Sequence, residues 1–184
     1  MFLLRKLSKS EFKSATQLLD SELKKRVRSN QFLFDKFKKF PQFFIGIFLE
    51  KQLIGVICGF PREDYLLISE LAIDPRFQKR GFASKLVKAF EAAAKTKYHK
   101  INVGALNEAI GFYSSLNYKP FLLAQYNKKD YSVKDFNFKI LQKGKAGNMD
   151  WIAIKKDVPD VKYLEKMSKR YPKAYFQYIF TKKI

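Results

Sequence analysis

The chain has 184 residues, 47% of them hydrophobic, and carries a formal net charge of +20 from 37 Lys and Arg against 17 Asp and Glu. That length suits one domain or one domain with a small appended module, and the apolar content excludes wholesale disorder. A lone cysteine, Cys58, excludes an intrachain disulfide framework or thiolate metal cluster, and no apolar stretch reaches the roughly 18 residues of a membrane span.

The start Met1-Phe2-Leu3-Leu4 runs at once into Arg5 and Lys6. It lacks the long apolar centre of a signal peptide and reads as a first strand, Phe2 to Leu7, which with the absence of disulfides predicts a cytoplasmic protein. Ser8-Lys9-Ser10-Glu11 has the form of a capping box and predicts a helix start. Phe12, Ala15, Leu19 and Val27 fall near one face and carry that helix to about Arg26. A second helical piece, Gln31 to Phe40, bears Phe32, Leu33, Phe37 and Phe40 and is stopped by Pro41, whose ring clashes with the preceding turn.

Two apolar runs follow, Phe43 to Leu49 and Leu53 to Phe60, joined by Glu50-Lys51-Gln52. They predict a β-hairpin with Cys58 as a buried small apolar residue. After the turn Pro61-Arg62-Glu63-Asp64, Tyr65 to Ile73 is long and apolar enough for a central strand and ends at Asp74-Pro75. Gly81 to about Lys97 is helical, with Leu86, Val87, Phe90, Ala93 and Ala94 on one side. Ile101 to Leu106 is a strand, and Asn107 caps a short helix bearing Ala109, Ile110, Tyr113 and Leu116. Phe121 to Tyr126 is a strand, whereas Asn127 to Asn148 leaves strand, loop and short helix open. Trp151 to Ile154, Pro159 to Tyr171 and Ala174 to Thr181 read strand, helix, strand. No repeat or low-complexity linker separates this tail, so it is expected to pack on the main sheet.

The chemically informative segment is Ser69 to Ala83, a strand, a turn and a glycine-bearing loop that opens a helix. The first N–H groups of a helix have no partner within it, so a phosphate placed there gains several hydrogen bonds together with the helix dipole. Gly81 lets the backbone approach a pyrophosphate without a Cβ in the way, the small Ala83 keeps the next turn open, and Arg76, Lys79 and Arg80 supply countercharge. The G-x-x-x-x-G-K-[ST] and G-x-G-x-x-G patterns are both absent, which removes the two commonest nucleotide folds.

Downstream lies Asn107-Glu108-Ala109-Ile110-Gly111-Phe112-Tyr113-Ser114-Ser115-Leu116-Asn117-Tyr118. From Leu66 to Tyr118 the chain resembles the GNAT-type N-acetyltransferase family. Three signatures occur in order: a strand ending in an L-x-V-D-P-like turn, a Q/R-x-x-G-x-G/A loop, and a helix, N-x-A-x-x-F-Y-x-x-x-N-Y here, similar to the family's N-x-x-A-x-x-F-Y-x-x-x-G-F. The resemblance implies an α/β fold of mixed-sheet, acyl-CoA N-acyltransferase type over residues 1–126; it says nothing of 127–184, which the residues themselves give as a C-terminal strand-helix-strand extension. It further implies acetyl-CoA as cosubstrate, no metal, and an amine acceptor that is a small molecule, peptide or protein.

Site residues are carried over from that resemblance. The strand end Leu71, Ala72 and Ile73 would bond the pantetheine arm and thioester through its backbone; Gln78, Lys79, Arg80, Gly81, Phe82 and Ala83 would cradle the pyrophosphate. Asn107 would contact the cofactor, and Tyr113 would act as general acid. Ala83 and Asn117 stand where the family usually has glycine, and asparagine tolerates positive φ. Glu70 is the candidate base, although neighbours on a strand alternate faces and its side chain could point either way. His99, the only histidine, sits in a polar turn and is left out.

Two other readings stay open. A non-catalytic acyl-CoA sensor would keep the fold without turnover. The positive charge, scattered in groups such as Lys24, Lys25, Arg26 and Arg28, reads mostly as solvated faces, but with the aromatic tail Tyr171 to Phe180 it also suits a nucleic-acid binder. The tail could close over the acceptor, form a homodimer or extend the core.

Overall fold

In a computed structural model, which describes residues 1–23, 26 and 28–184, the chain forms a mixed α/β structure of two units, Met1–Ile101 with Lys183–Ile184, and Asn102–Lys182. The first unit holds β1 (Phe2–Lys6), α1 (Phe12–Glu22), α2 (Asn30–Lys39), β2 (Phe44–Leu49), β3 (Gln52–Pro61), β4 (Leu66–Ile73) and α3 (Phe82–Ala94). Its strands lie antiparallel in the order β1-β2-β3-β4. The predicted hairpin is β2–β3, turned by Glu50 at φ 55° and Lys51.

Capping chemistry sets the helix boundaries. The Ser8 N–H donates to Glu11 Oε2 at 2.8 Å, as a capping box requires, and a single 3-10 turn leads into α1. α1 stops at Glu22 because Leu23 turns to extended backbone (φ −106°, ψ 91°), earlier than the expected end near Arg26. Val27, expected on its inner face, lies outside the described residues, as do Lys24 and Lys25. Ser29 accepts from the Phe32 N–H at 3.1 Å and starts α2 at Asn30, one residue before the expected Gln31.

Side chains alternate across the sheet, so each face has its own cover. Leu19 of α1 and Leu33 and Phe37 of α2 pack with Phe44, Val56, Cys58 and Ala72. α3 lies against β2, β3 and β4, with the Phe90 ring 5.7 Å from that of Phe43. Between Cys58 and Gly59 the β3–β4 register shifts, from Cys58 opposite Glu70 to Gly59 opposite Ile68, which leaves Ser69 as the extra residue of a bulge. Only glycine fits at 59, because a Cβ there would stand 2.1 Å from the Leu67 carbonyl oxygen.

β5 (Lys100–Gly104) contributes its last residues to the second unit. There it is joined by α4 (Ile110–Ser115), β6 (Lys119–Tyr126), β7 (Ile140–Ala146), β8 (Met149–Ile154), α5 (Val161–Arg170) and β9 (Tyr175–Lys183), with strand order β5-β9-β6-β8-β7. β6 pairs antiparallel with both β8 and β9, so the tail adds strands to β6. The open stretch 127–148 resolves into a 3-10 turn, Val133–Asp135, and β7. Asp160 caps α5 through the Tyr163 N–H at 3.2 Å, and its own N–H donates to the Tyr178 hydroxyl at 2.9 Å.

The aromatic tail is core. Tyr171, Phe176, Tyr178 and Phe180 are buried, and of the tail's rings only Tyr175 is well exposed. Tyr171 and Phe136 lie 4.8 Å apart, and the Tyr171 hydroxyl donates to the Asp135 carbonyl at 3.1 Å. Those buried rings are occupied by packing rather than presented for stacking on bases. Asn107 is not the helix cap expected of it: a 3-10 turn, Asn107–Ala109, intervenes, flanked by Leu106, and Ala109 precedes α4. Asn117 does take the left-handed conformation, φ 65°.

Glu11 also receives two hydrogen bonds from the Arg5 guanidinium, at 2.8 and 2.6 Å. Chiefly through that pairing, and against a smaller opposing effect of burial, its pKa is lowered to about 2. A lowered folded-state pKa stabilises the fold above the unfolded value and loses that stabilisation as pH falls towards 2. Glu11→Ala is expected to cost about 1 kcal/mol near neutral pH. Thermal melts from pH 6 to pH 2 should show a shallower acid-induced fall for the variant than for the parent chain.

Candidate functional site

The loop between β4 and α3 is built by its own side chains. Asp74 Oδ1 accepts from the Arg76 N–H at 3.0 Å, and the Asp74 carboxylate takes two bonds from the Arg76 guanidinium, at 3.0 and 2.6 Å. That pairing lowers the Asp74 pKa and raises that of Arg76. Pro75 fits the first position of the 3-10 turn that follows, where no N–H is needed. Gln78 donates from Nε2 to the Ile73 carbonyl at 2.9 Å and to Glu22 Oε2 at 3.3 Å, tying the loop to the end of β4 and the end of α1. Its own N–H is taken by the Pro75 carbonyl at 3.3 Å.

Beyond Gln78 the backbone turns twice into the left-handed region, at Lys79 (φ 59°) and at Gly81 (φ 79°). Left-handed residues alternating with ordinary ones gather successive N–H groups into a concave, anion-binding nest. Gly81 flanks the first turn of α3 without any side-chain cap, and the N–H groups of Gly81, Phe82, Ala83 and Ser84 find no acceptor among the described residues. A Cβ built on Gly81 would meet nothing within 4 Å, so the approach to those amides is open. Phe82 is buried against Phe2, centroids 4.5 Å apart, which anchors the first turn of α3. Lys79 and Arg80 are exposed, the Arg80 guanidinium 5.6 Å from the Phe77 ring centroid. Of the three expected countercharges, Arg76 is instead engaged by Asp74.

On β4, Leu71, Ala72 and Ile73 stand opposite Ile57, Val56 and Gly55. Ala72 and Ile73 are buried and Leu71 is half-buried. Glu70 is buried beside the bulge, opposite Cys58, on the side covered by α1 and α2. There Arg26 Nε donates to Glu70 Oε2 at 2.9 Å, with the two side chains only 7% and 5% exposed. Arg26 Nη1 also bonds Asp20 and, at 2.7 Å, Asn30 Oδ1. Two atoms of the pair, Arg26 Nη2 and Glu70 Oε1, are buried without a hydrogen-bond partner among the described residues. Burial raises the Glu70 pKa above the ordinary carboxylate value, and the Arg26 charge opposes that rise without cancelling it. The Cys58 thiol is pushed up by burial and then by the Glu70 charge, which leaves it protonated and unreactive.

In the second unit, Asn107 is exposed on its 3-10 turn and borders a recess of about 210 Å³ with Leu106, Tyr175 and Gln177. Tyr113 of α4 is buried, its ring held by Phe112, Tyr118 and Phe180 at centroid distances of 5.0, 5.7 and 6.0 Å. Its hydroxyl has no hydrogen-bond partner among the described residues, and burial raises its pKa, so it stays protonated. Among the described residues no three His, Cys, Asp or Glu side chains are grouped to hold a metal ion, and no helix is long and apolar enough to cross a membrane.

Two features had no sequence signal. Arg26 lay in a run of scattered cations, 44 residues from Glu70, and Lys79 is not a residue type that announces positive φ.

Comparison with known proteins bears on the fold and the family. No curated protein matches the sequence significantly. Among solved structures, Ard1 from Thermoplasma volcanium superposes with a TM-score of 0.60 at 17% identity, over 84% of this chain and 99% of that one. Arabidopsis thaliana Naa50, in complex with the bisubstrate analogue CoA-Ac-MVNAL, gives 0.58 at 14% identity over 100% and 99%. A GNAT family acetyltransferase from Elizabethkingia anophelis with acetyl-CoA bound gives 0.54 at 14% identity over 100% and 98%. At such identities the likeness establishes the fold, that of the GNAT acyl-CoA N-acyltransferases. The Acetyltransferase (GNAT) family model matches residues 4–118, and with more than half of its length so matched the chain belongs to the GNAT acetyltransferase family.

Proposed function

We propose that the chain transfers an acetyl group from acetyl-CoA to a primary amine by direct attack, with no covalent enzyme intermediate. The observation that carries this reading is the set of unpartnered amides from Gly81 to Ser84 behind an open left-handed turn. A diphosphate bound there satisfies several donors at once and meets the positive end of α3. Lys79 and Arg80 add countercharge from solvent-exposed positions. Leu71 and Ile73 offer strand backbone to the pantetheine arm, the Ile73 carbonyl being shared with Gln78, and Asn107 is assigned a contact to the cosubstrate.

In the reaction the amine nitrogen attacks the thioester carbonyl. The C–N bond forms, the C–S bond breaks, the amine gives up one proton and the sulfur leaves as thiolate. Backbone N–H groups aimed at the carbonyl oxygen stabilise the oxyanion that develops. Glu70 is assigned the base, taking the amine proton at Oε1, the oxygen that Arg26 leaves unbonded. Its raised pKa makes it a better proton acceptor than an exposed carboxylate. Tyr113 is assigned the donor to the thiolate. A hydroxyl kept protonated by burial hydrogen-bonds the departing sulfur and gives it a proton as the thiol forms; the tyrosinate is then reprotonated from solvent, to which Glu70 releases the amine proton.

Gly81→Trp should lower acetyl-CoA affinity at least about 10-fold in isothermal titration while costing the fold only about 1–2 kcal/mol for the lost left-handed residue. Wild-type affinity in that variant would refute the loop assignment. Tyr113→Phe should reduce kcat by about 10²-fold with acetyl-CoA affinity unchanged, read by release of free thiol. Because the Glu70 pKa is raised, kcat/KM should fall with acid at a pH above that of an ordinary carboxylate, and Glu70→Gln should remove that limb. An unchanged pH profile in Glu70→Gln assigns the base elsewhere.

A further inference from the structure

Beside Glu70 the first unit gathers cations around two rings. Phe32 of α2 and Phe60 of β3 meet edge to face with centroids 5.4 Å apart. Lys36 Nζ stands 5.2 Å from each centroid, the Arg28 guanidinium 5.5 Å from Phe32, and the Arg62 guanidinium 5.3 Å from Phe60. Among the described residues no carboxylate comes within ion-pair distance of Arg28, Lys36 or Arg62. Arg28 is half-buried, and its pKa is lowered first by that burial and then by the Arg62 charge, with the Glu70 charge opposing. Ring faces offset part of the mutual repulsion. An anion set among the three cations would offset more.

The adjoining Arg26–Glu70 pair is itself incomplete. A guanidinium and a carboxylate can share two parallel bonds, yet here one forms, and the donor Nη2 and acceptor Oε1 are both left buried and unpartnered. An unsatisfied buried polar atom costs free energy, so this half-open pair is suited to a visitor that accepts at Nη2 and donates at Oε1. An amine with an oxygen acceptor close to it meets both demands. A bare hydrocarbon amine meets one.

We propose that Arg28, Lys36 and Arg62 select the acceptor: a primary amine with an anionic oxygen group, carboxylate or phosphate, near its reacting nitrogen. The anion sits among the three cations over Phe32 and Phe60, and the amine reaches Glu70 Oε1. The proposal rests on the acetyl-transfer reading for the role of Glu70.

The test uses the full chain saturated with CoA and three peptides labelled at the C-terminus. Each has a free amino-terminal serine, followed by Asp-Glu, by two phosphoserines, or by Asn-Gln. Fluorescence anisotropy should show either anionic peptide binding at least about 10-fold more tightly than the amide twin, the better of the two naming the oxyanion. Arg28→Gln, Lys36→Gln and Arg62→Gln should each remove much of that advantage, whereas Lys143→Gln with Lys145→Gln, exposed in the other unit, should not. Equal binding of anionic and amide twins, or an equal loss in the remote double variant, overturns anion selection and leaves only the general field of a chain of charge +20. Thiol release then separates the two claims. Acetylation of the twins at equal kcat/KM overturns the selectivity but not the transfer, while loss of acetyl-CoA binding in Gly81→Trp is read independently of any acceptor.

Discussion

A helix that begins without a cap leaves its first amides unsatisfied, and α3 begins that way. Most first turns are closed by a Ser, Thr, Asp or Asn side chain, as Ser29 and Asp160 close those of α2 and α5. Gly81 offers no such group and enters from the left-handed side. The surrounding contacts hold this geometry in place. Asp74 clasps Arg76 to shape the turn, Gln78 ties the loop to β4 and α1, and Phe82 is locked against Phe2. These contacts brace the amides, so on the proposed reading a diphosphate would not have to order the loop before binding it.

The Arg26–Glu70 pair follows a similar logic at higher cost. A buried ion pair gains little stability over an apolar replacement, and breaking one by removing a partner typically costs about 3–5 kcal/mol. Here one donor and one acceptor of the pair are also left unsatisfied. An apolar pair at this point on β4 would pack more economically, and the bulge at Ser69 that adjoins it interrupts an otherwise regular ladder. Bulges, unsatisfied polar atoms and raised carboxylate pKa values concentrate where chemistry is done. Cys58, directly opposite, is silent because the same burial keeps its thiol protonated.

The positive charge of the chain is not spent uniformly. Several cations are engaged in ion pairs, among them Arg5 with Glu11, Arg76 with Asp74 and Lys100 with Asp64. Arg28, Lys36 and Arg62 are held instead against aromatic faces. A ring face supports a cation without neutralising it, so charge placed there keeps its field. That distinction, invisible in a net charge, separates a surface that is merely basic from one arranged to receive an anion.

The order of elements was legible in the sequence because the signals are local: the capping box at Ser8 to Glu11, Pro41 after α2, the polar turn between β2 and β3, Asp74-Pro75 after β4. So was the glycine-bearing turn into α3, since Gly81 acts through its own backbone. Boundaries drifted where a cap or turn was not read, as at Leu23 and Asn107. What sequence alone could not decide was which distant side chains meet. The facing of Glu70 is decided only where α1 and α2 cover one side of the sheet and bring Arg26 to it across 44 positions. The aromatic tail likewise reads as a stacking surface in one dimension and is core in three. Local backbone chemistry is written in neighbouring residues, whereas burial and pairing depend on contacts that exist only once the chain has closed on itself.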